Sequence, residues 1–365
     1  MRWCVVASVL INLSVAGCQR AVEPTYVFRA EVAALSPELQ QAIQTELVKH
    51  SGTPLHPKLI GNEKVAQPYL DRGAMVFQQR CAGCHGTTGD GNGPAAEQLY
   101  PRPRDYRRGI FKFTSTPYGA KPRREDLLHT VRYGARGTSM PEFKLLPGED
   151  LQAVVDHVLV LTHRGELEFA LALEADDEDS IDPEKTPELI ASIVDQWQKA
   201  RRETVTPLTQ EPTYDEASIE RGKKAFLTET AGCFKCHGPD GRGLTAASPE
   251  NFKDSWGFPT RAADLTAGMF HGGGRPLDIY RRIYAGINGT PMPGFGIKLA
   301  SEPETLWDLV HYVEYVSSAR RREVQAAERH WQPRVFRPAV ASRSAEGAAK
   351  RSTETSAAAA AKNPR

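Results

Sequence analysis

Two five-residue motifs in this chain place thiols and an imidazole at a spacing that suggests specific chemistry. They read CAGCH at 81–85 and CFKCH at 233–237, so a histidine directly follows the second of two cysteines. Thiols two residues apart can add to the two vinyl groups of one porphyrin, which leaves the adjacent imidazole to bind the iron. Each motif therefore predicts one covalently attached haem c. The predicted residues are Cys81, Cys84, His85, Cys233, Cys236 and His237.

Two other uses of paired cysteines fit this pattern less well. A structural zinc site closes with four ligands, usually from a second Cys-x-x-Cys or a His-x-His unit, and the sequence has no such unit beyond the two motifs themselves. A thioredoxin-like dithiol does not require histidine at the next position, yet both copies have it.

A second repeat supplies a candidate for the sixth iron ligand. GTSMP at 137–141 and GTPMP at 289–293 place Met140 and Met292 55 residues after the histidines, from 85 to 140 and from 237 to 292. Methionine often fills gaps in a core, but only five are present and two of them share this context. We interpret both as distal ligands, which gives His/Met-ligated iron. The rivals His129 and His271 do not align between the copies and are predicted to be surface residues.

Both halves of the chain resemble the class I cytochrome c family, on the attachment motif, the methionine loop and the flanking helices. The resemblance covers 68–164 and 214–323. It implies an all-α fold of two tandem domains, each a few helices wrapped around one covalently bound haem. It also implies that a glycine and an aromatic residue of the first helix pack on the last helix. The matching residues are Gly73, Phe77, Gly222 and Phe226, and the last helices are expected at 151–161 and 306–315.

The resemblance also assigns a partner to the proximal imidazole. Gly93-Pro94 matches the glycine–proline pair whose carbonyl accepts a hydrogen bond from that ring. The second half has Gly241–Leu244 there without a proline, so it departs from the family pattern.

At 365 residues the chain is long enough for two domains, and the repeated motifs divide it accordingly. We predict a spacer between the leader and the first cytochrome domain. It contains one short helix, which begins at Ser36-Pro37 and ends at Gly52. The acidic run Glu174–Glu184 is expected to be partly disordered, and an apolar stripe predicts a helix over 187–202. The expected segments are the leader 1–18, spacer 19–67, domain one 68–165, linker 166–213, domain two 214–323 and a basic, disordered tail 324–365.

The N-terminus resembles the leader of a bacterial lipoprotein. An apolar stretch too short to span a bilayer ends in Val15-Ala16-Gly17-Cys18, where small residues precede a cysteine. We predict that Cys18 is lipidated, although an ordinary signal peptide or an uncleaved anchor also fits. The protein is then exported and tethered to the outer (periplasmic) face of the cytoplasmic membrane or to another envelope membrane, where c-type haem is attached.

Charge is nearly balanced overall, at +1, which argues against nucleic acid as a partner. Residues 68–164 carry 14 basic and 10 acidic side chains, whereas 214–323 carry 14 of each. Beyond neutralising haem propionates, the excess in the first domain suggests a docking face for an acidic redox partner. Its basic residues are Arg102, Arg104, Arg107, Arg108, Lys121, Arg123 and Arg124.

These features favour an electron carrier over an enzyme. The predicted protein passes electrons between redox partners of a respiratory chain: an oxidase, a dehydrogenase or another cytochrome. The alternative is a dihaem peroxidase, which needs an open iron site and an acid–base group; only Glu142 stands near a methionine, and Gly294 replaces it in the second copy. A redox or gas sensor would need an output module, and the sequence offers none.

Overall fold

The computed structural model describes residues 25–243 and 252–318, all of them helices, turns and loops. The predicted leader, Cys18, Leu244 and the basic tail lie outside these residues. The α-helices are α1 Ala30–Ala33, α2 Pro37–Ser51, α3 Gln67–Arg80, α4 Ala82–His85, α5 Arg124–Tyr133, α6 Gly148–Glu178, α7 Thr186–Arg202, α8 Glu216–Leu227, α9 Phe234–His237, α10 Pro276–Ala285 and α11 Glu304–Ser317. Short 3₁₀ helices occupy Ala96–Gln98, Tyr106–Arg108 and Leu265–Ala267.

The spacer helix α2 begins and ends where the sequence predicts. The Ser36 hydroxyl accepts a hydrogen bond from the Leu39 amide at 3.3 Å, and Pro37 occupies the first helical position. Gly52 follows the last residue with φ +72°, a conformation that favours glycine. Ile43 and Leu47, one turn apart, are fully buried in the core around α6. The spacer is therefore part of the first domain's packing.

Each half of the chain contains one pair of crossing helices, and a glycine at the crossing lets the two helix backbones approach closely. In module one, residues 68–165, α3 crosses α6 where a Cβ on Gly73 would overlap the Ala153 carbonyl oxygen. In module two, residues 214–323, α8 crosses α11 where a Cβ on Gly222 would overlap the Asp308 carbonyl oxygen. Phe77 and Phe226, one turn further on, are 0% and 1% exposed. The predicted role of these glycines and aromatics is confirmed.

The linker differs from its prediction. Helix α6 continues 13 residues past the expected end of module one, from 165 to Glu178, so the first part of the acidic run is helical and not disordered. After the turn that follows, the Lys185 ammonium pairs with the Glu178 carboxylate at 2.7 Å. Helix α7 confirms the predicted linker helix, and it buries Ile193 and Trp197 against module one. The hydrophobic face of α7 therefore completes the first core.

Each module has its own hydrophobic core. In module one α6 contributes most of the buried side chains, whereas in module two Leu306, Trp307 and Val310 of α11 surround Tyr280. Within the described residues, no helix has both the length and the apolar character needed to cross a bilayer.

Candidate functional site

Both attachment motifs fold as one turn of helix at the end of a longer helix or loop. The amides of His85 and His237 donate to the carbonyls of Cys81 and Cys233, each at 2.9 Å. A glycine with φ +74° ends each turn, Gly86 in module one and its counterpart in module two. All four cysteines of the motifs are free thiols, and burial raises the pKa of Cys81 to about 12. Reduced cysteines, not disulfides, are the form that adds to a vinyl group.

The proximal imidazoles are oriented by backbone carbonyls that the sequence analysis did not identify. His85 Nδ1 donates to the Arg104 carbonyl at 3.3 Å, and His237 Nδ1 to the Ala263 carbonyl at 3.0 Å. The prediction that Gly93-Pro94 supplies this acceptor is wrong; Gly93 instead packs on α4, where a Cβ would meet the Ala82 carbonyl at 2.5 Å. With Nδ1 occupied, Nε2 of each ring remains for iron.

The acceptor carbonyls belong to a turn that is repeated in both modules. Asp105 and Asp264 follow them and cap a 3₁₀ helix by accepting from the amides of Arg107 and Thr266, at 3.0 and 2.9 Å. Each helix ends in a glycine with positive φ, at 109 and 268. The signal was present in the sequence as Asp-x-x-x-Gly in both copies. It was hidden because the turn lies 20 residues after the first histidine but 27 after the second.

The two methionine loops have the same hydrogen bonds. The threonine hydroxyl accepts from the methionine amide, at 3.1 Å for Thr138 and Met140 and 3.3 Å for Thr290 and Met292. The methionine carbonyls accept from the amides of Ala135 and Ile287, each at 3.2 Å. This bonding explains why threonine recurs two residues before each methionine. Met140 and Met292 as iron ligands remain predictions.

Burial sets the protonation state of the candidate ligands. It lowers the pKa of His85 to about 4, and it also lowers the pKa of His237. Both imidazoles are therefore neutral at physiological pH, the state in which a ring nitrogen can bind iron. Neutral histidine, free thiols and a thioether are the donor set that haem c requires.

Buried donors without acceptors supply an independent test of fit. Trp256 Nε1, Arg102 Nε and Arg282 Nε are buried, and no protein atom accepts a hydrogen bond from them. A buried unsatisfied donor is costly, so these groups are open to an acceptor that the polypeptide does not provide, such as a bound water or a ligand. Haem carries two carboxylates, which are acceptors of this kind. The residues present fit the group.

Sequence comparison gives a family match in each half. Residues 68–158 match cytochrome c oxidase, cbb3-type, subunit III, and residues 219–317 match cytochrome c. A chain of the Kuenenia stuttgartiensis reducing HAO-like protein complex Kustc0457/Kustc0458 is similar over 67% of this chain and 96% of its own. The two are 31% identical, with a TM-score of 0.53.

The chain belongs to the cytochrome c family, as two class I domains in tandem. No curated protein matches it. The all-α tandem fold expected from the sequence is confirmed. The long α6 and the helix α7 are additions to the first of the two cytochrome c domains.

The basic residues of module one are engaged within the cytochrome. Arg107 is 9% exposed and pairs with Asp105 at 3.0 Å, and Arg124 pairs with Asp156 at 2.6 Å. Lys121 pairs with Glu166. Arg102 lies over the ring of Phe258, with its guanidinium carbon 4.9 Å from the centroid. The prediction that these residues form a free docking face is therefore wrong.

Several of these residues contact module two, and loops of complementary length make the interface. Between the proximal histidine and the aspartate that caps the 3₁₀ helix, module two is seven residues longer than module one. Between the glycine that ends the 3₁₀ helix and the N-cap of the next α-helix, module two is seven residues shorter. The longer segment of module one, 110–122, accepts two hydrogen bonds from Arg282, one of them at the Lys112 carbonyl at 3.2 Å. Its Gly119 amide donates to Asn288 at 2.9 Å.

The longer loop of module two lies against module one in return. Asp254 is within 3.7 Å of Arg104 and 3.8 Å of Lys112, and the Ser255 carbonyl accepts from Arg108. We call the two segments 104–119 and 254–258, with the residues they contact, the inter-module interface. His271 also belongs to it, because its Nδ1 contacts the Arg136 carbonyl. The compensating lengths leave the histidine-to-methionine interval equal in both halves.

Proposed function

We propose that this cytochrome holds one haem c in each module and passes single electrons between redox proteins outside the cytoplasmic membrane. The observation that carries the proposal is that both modules hold the histidine and the methionine in the same hydrogen-bonded geometry. Haem bound at these positions supplies one-electron chemistry between ferric and ferrous iron.

The residues of the chain have defined parts in this function. Cys81 and Cys84 attach one haem, and the corresponding pair at 233 and 236 attaches the other. The carbonyls of Arg104 and Ala263 fix the tautomer of the two histidines, so that Nε2 is presented to iron. Met140 and Met292 would supply a thioether ligand to each iron, which would favour a high reduction potential.

A peroxidase is the competing function, and the structure offers it little support. Glu142, the acid–base candidate, pairs with Lys144 at 2.6 Å, and the two side chains are 50% and 52% exposed. Gly294 is its counterpart in module two. An acid–base group on the surface and two equivalent methionine loops favour a carrier without an open iron site.

The partner and the location extend this proposal. The similar solved chain is part of a reducing HAO-like protein complex, which supports a partner that is itself a redox protein. The lipobox-like residues before Cys18 support a tether to an envelope membrane. Cys18→Ser is expected to move the protein to the soluble fraction with its haem content unchanged; retention at the membrane would contradict the tether.

The haem assignment is tested by haem counting and near-infrared spectroscopy. The protein, expressed with c-type maturation enzymes, is expected to contain two haems per chain, and Cys84→Ser or Cys236→Ser one each. The oxidised protein should show the thioether-to-iron charge-transfer band, and Met140→Ala and Met292→Ala should each remove about half of it. Absence of the band in the wild-type protein would refute His/Met ligation. Turnover of hydrogen peroxide by the intact protein would favour the peroxidase.

A further inference from the structure

Arg104 makes two contacts that point to different haem sites. Its carbonyl orients His85 in module one. Its guanidinium lies flat over the indole of Trp256 in module two, with the carbon 3.7 Å from the ring centroid. One residue thus holds a proximal ligand with its backbone and reaches the other module with its side chain.

Trp256 continues the contact to the distal loop of module two. A Cβ on Gly289 would lie 2.5 Å from Trp256 Cζ3, so the indole rests directly on this glycine's backbone. The Ser255 amide donates to the Gly289 carbonyl at 3.0 Å. Gly289 opens the loop that ends in Met292. A continuous series of contacts therefore joins His85 to the loop of Met292.

Among residues 25–243 and 252–318, the connection has no counterpart in the opposite direction. Ala263 holds His237 as Arg104 holds His85, but its methyl side chain cannot reach module one. The loop of Met140 is contacted instead at Gly137 by His271 of module two. A Cβ on Gly137 would lie 3.2 Å from His271 Cε1. The two haem sites are therefore linked asymmetrically, through Arg104.

The link carries a buried positive charge. The Arg104 side chain is 16% exposed, and burial lowers its pKa to about 10, so it stays charged at physiological pH. Asp254, 8% exposed, offsets the charge at 3.7 Å, and Lys112 shares this carboxylate at 3.8 Å. A charge in such surroundings is screened less than one on the surface, so it acts over a longer distance.

We propose that Arg104 and Trp256 are positioning residues that couple the two haem sites, so that each module's reduction potential depends on a residue of the other. The proposal rests on the proposed function, because only two haem-bearing modules can be coupled. Arg104 acts on module two through Trp256 and the Met292 loop, and Trp256 acts on module one by fixing the guanidinium of the same residue whose carbonyl holds His85.

The test reads each module separately. Met140→His removes the thioether band of module one, so the remaining band reports the potential of module two; Met292→His does the reverse. In the Met140→His protein, Arg104→Met is expected to lower the equilibrium constant for reduction of the module-two haem by about three- to tenfold, because a positive charge is lost. In the Met292→His protein, Trp256→Ala is expected to lower the equilibrium constant for reduction of the module-one haem by about threefold. The reason is that the Arg104 guanidinium becomes more hydrated once the indole is removed.

Arg80→Met is the matched control for charge. It removes one arginine from the exposed end of α3 in module one, away from the inter-module interface, and should change module two by less than about twofold. Cross-module changes within twofold for both Arg104→Met and Trp256→Ala would overturn the proposal, and so would a change equal to that of Arg80→Met.

Haem content separates the two ways of failing. If the wild-type protein lacks two haems, the proposed function is refuted; if haems and bands are intact but the potentials are independent, only the coupling is refuted. Should Arg104→Met or Trp256→Ala lose haem, Arg104→Lys and Trp256→Phe are measured in the same backgrounds. Arg104→Lys keeps the charge but loses the planar guanidinium, and Trp256→Phe keeps a smaller ring face, so each is expected to change the other module by about two- to threefold. A change no larger than that of Arg80→Met would overturn the proposal.

Discussion

Gly289, which opens the methionine loop of module two, lies against Ile110 of module one. A Cβ on Gly289 would be 3.1 Å from Ile110 Cγ2. The opposite pair is Gly137 of the first loop and Met269 of module two, where the corresponding distance is 3.4 Å to the Met269 Cβ. Ile110 and Met269 each follow the glycine that ends a 3₁₀ helix. The residue after each 3₁₀ glycine thus lies against the methionine loop of the other module, although the remaining neighbours of the two loops differ.

The crowding at Gly289 predicts a large effect of a single methyl group. Gly289→Ala is expected to destabilise the protein by about 2–4 kcal/mol, because the methyl meets Trp256 and the backbone has φ +72°. Chemical denaturation of the haem-loaded protein measures this. Gly119→Ala is the control, since Gly119 has φ +80° but nothing within 4 Å, and backbone strain alone should cost about 1 kcal/mol. Equal losses would show that packing at Gly289 is unimportant.

Lys112 predicts a pH dependence of stability. Burial, with Arg104 nearby, lowers its pKa to about 8 despite Asp254, so the folded protein releases this proton before the unfolded chain does. Between about pH 8 and pH 10 the unfolded state binds more protons, and stability therefore rises with pH by about 2 kcal/mol from this residue. The difference between wild-type and Lys112→Met protein isolates it, because other groups titrate in both. A pH-independent difference would contradict the prediction.

Arg107 is predicted to matter for folding and not for association. Arg107→Met removes the guanidinium that pairs with the Asp105 carboxylate and donates to the Val27 carbonyl, and should cost about 2–4 kcal/mol. Lys144→Met, which breaks the exposed pair with Glu142, should cost less than about 1 kcal/mol. Unfolding monitored by haem absorbance compares them. If Arg107→Met instead slows reduction by an acidic redox protein at unchanged stability, the docking interpretation is restored.

The linker helix α7 is predicted to be part of module one's stability. Trp197 is 9% exposed, its ring packs against Phe111 and His163, and its Nε1 donates to Glu166 at 2.8 Å. Trp197→Ala should destabilise the first module by about 3–5 kcal/mol. Gln198→Ala, at an exposed position on the same helix, should be close to neutral. Unfolding of Met292→Ala protein, in which the near-infrared band reports module one alone, makes the comparison.

Much of the fold was predictable because it depends on local rules. Ser36-Pro37 begins α2 through a cap and a fixed φ, and Gly73 and Phe77 lie one turn apart on the buried face of α3. The end of α6 was not predictable from composition. Acidic residues favour solvent, but they continue a helix once α7 returns to pack against it and Lys185 pairs with Glu178.

For the candidate sites too, some residues were predictable from the sequence and others were not. Spacing predicts the cysteines and histidines, because the geometry of thioether attachment to one porphyrin fixes the interval between them. The acceptor for His85 was misassigned because a carbonyl carries no sequence signal of its own, and Arg104 reaches it only through the Asp105 turn. The arginines were misread because net charge does not reveal that Asp254 and Trp256 arrive from another part of the chain.

The complementary loop lengths have a consequence for how this chain can be rebuilt. Contact between its halves depends on where each half is long and where it is short, as well as on residue identity. A chain made of two first halves would bring two copies of 110–122 to one gap and no Trp256, and two second halves would leave that gap unfilled. The halves have therefore become a matched pair, and neither can serve as a template for replacing the other.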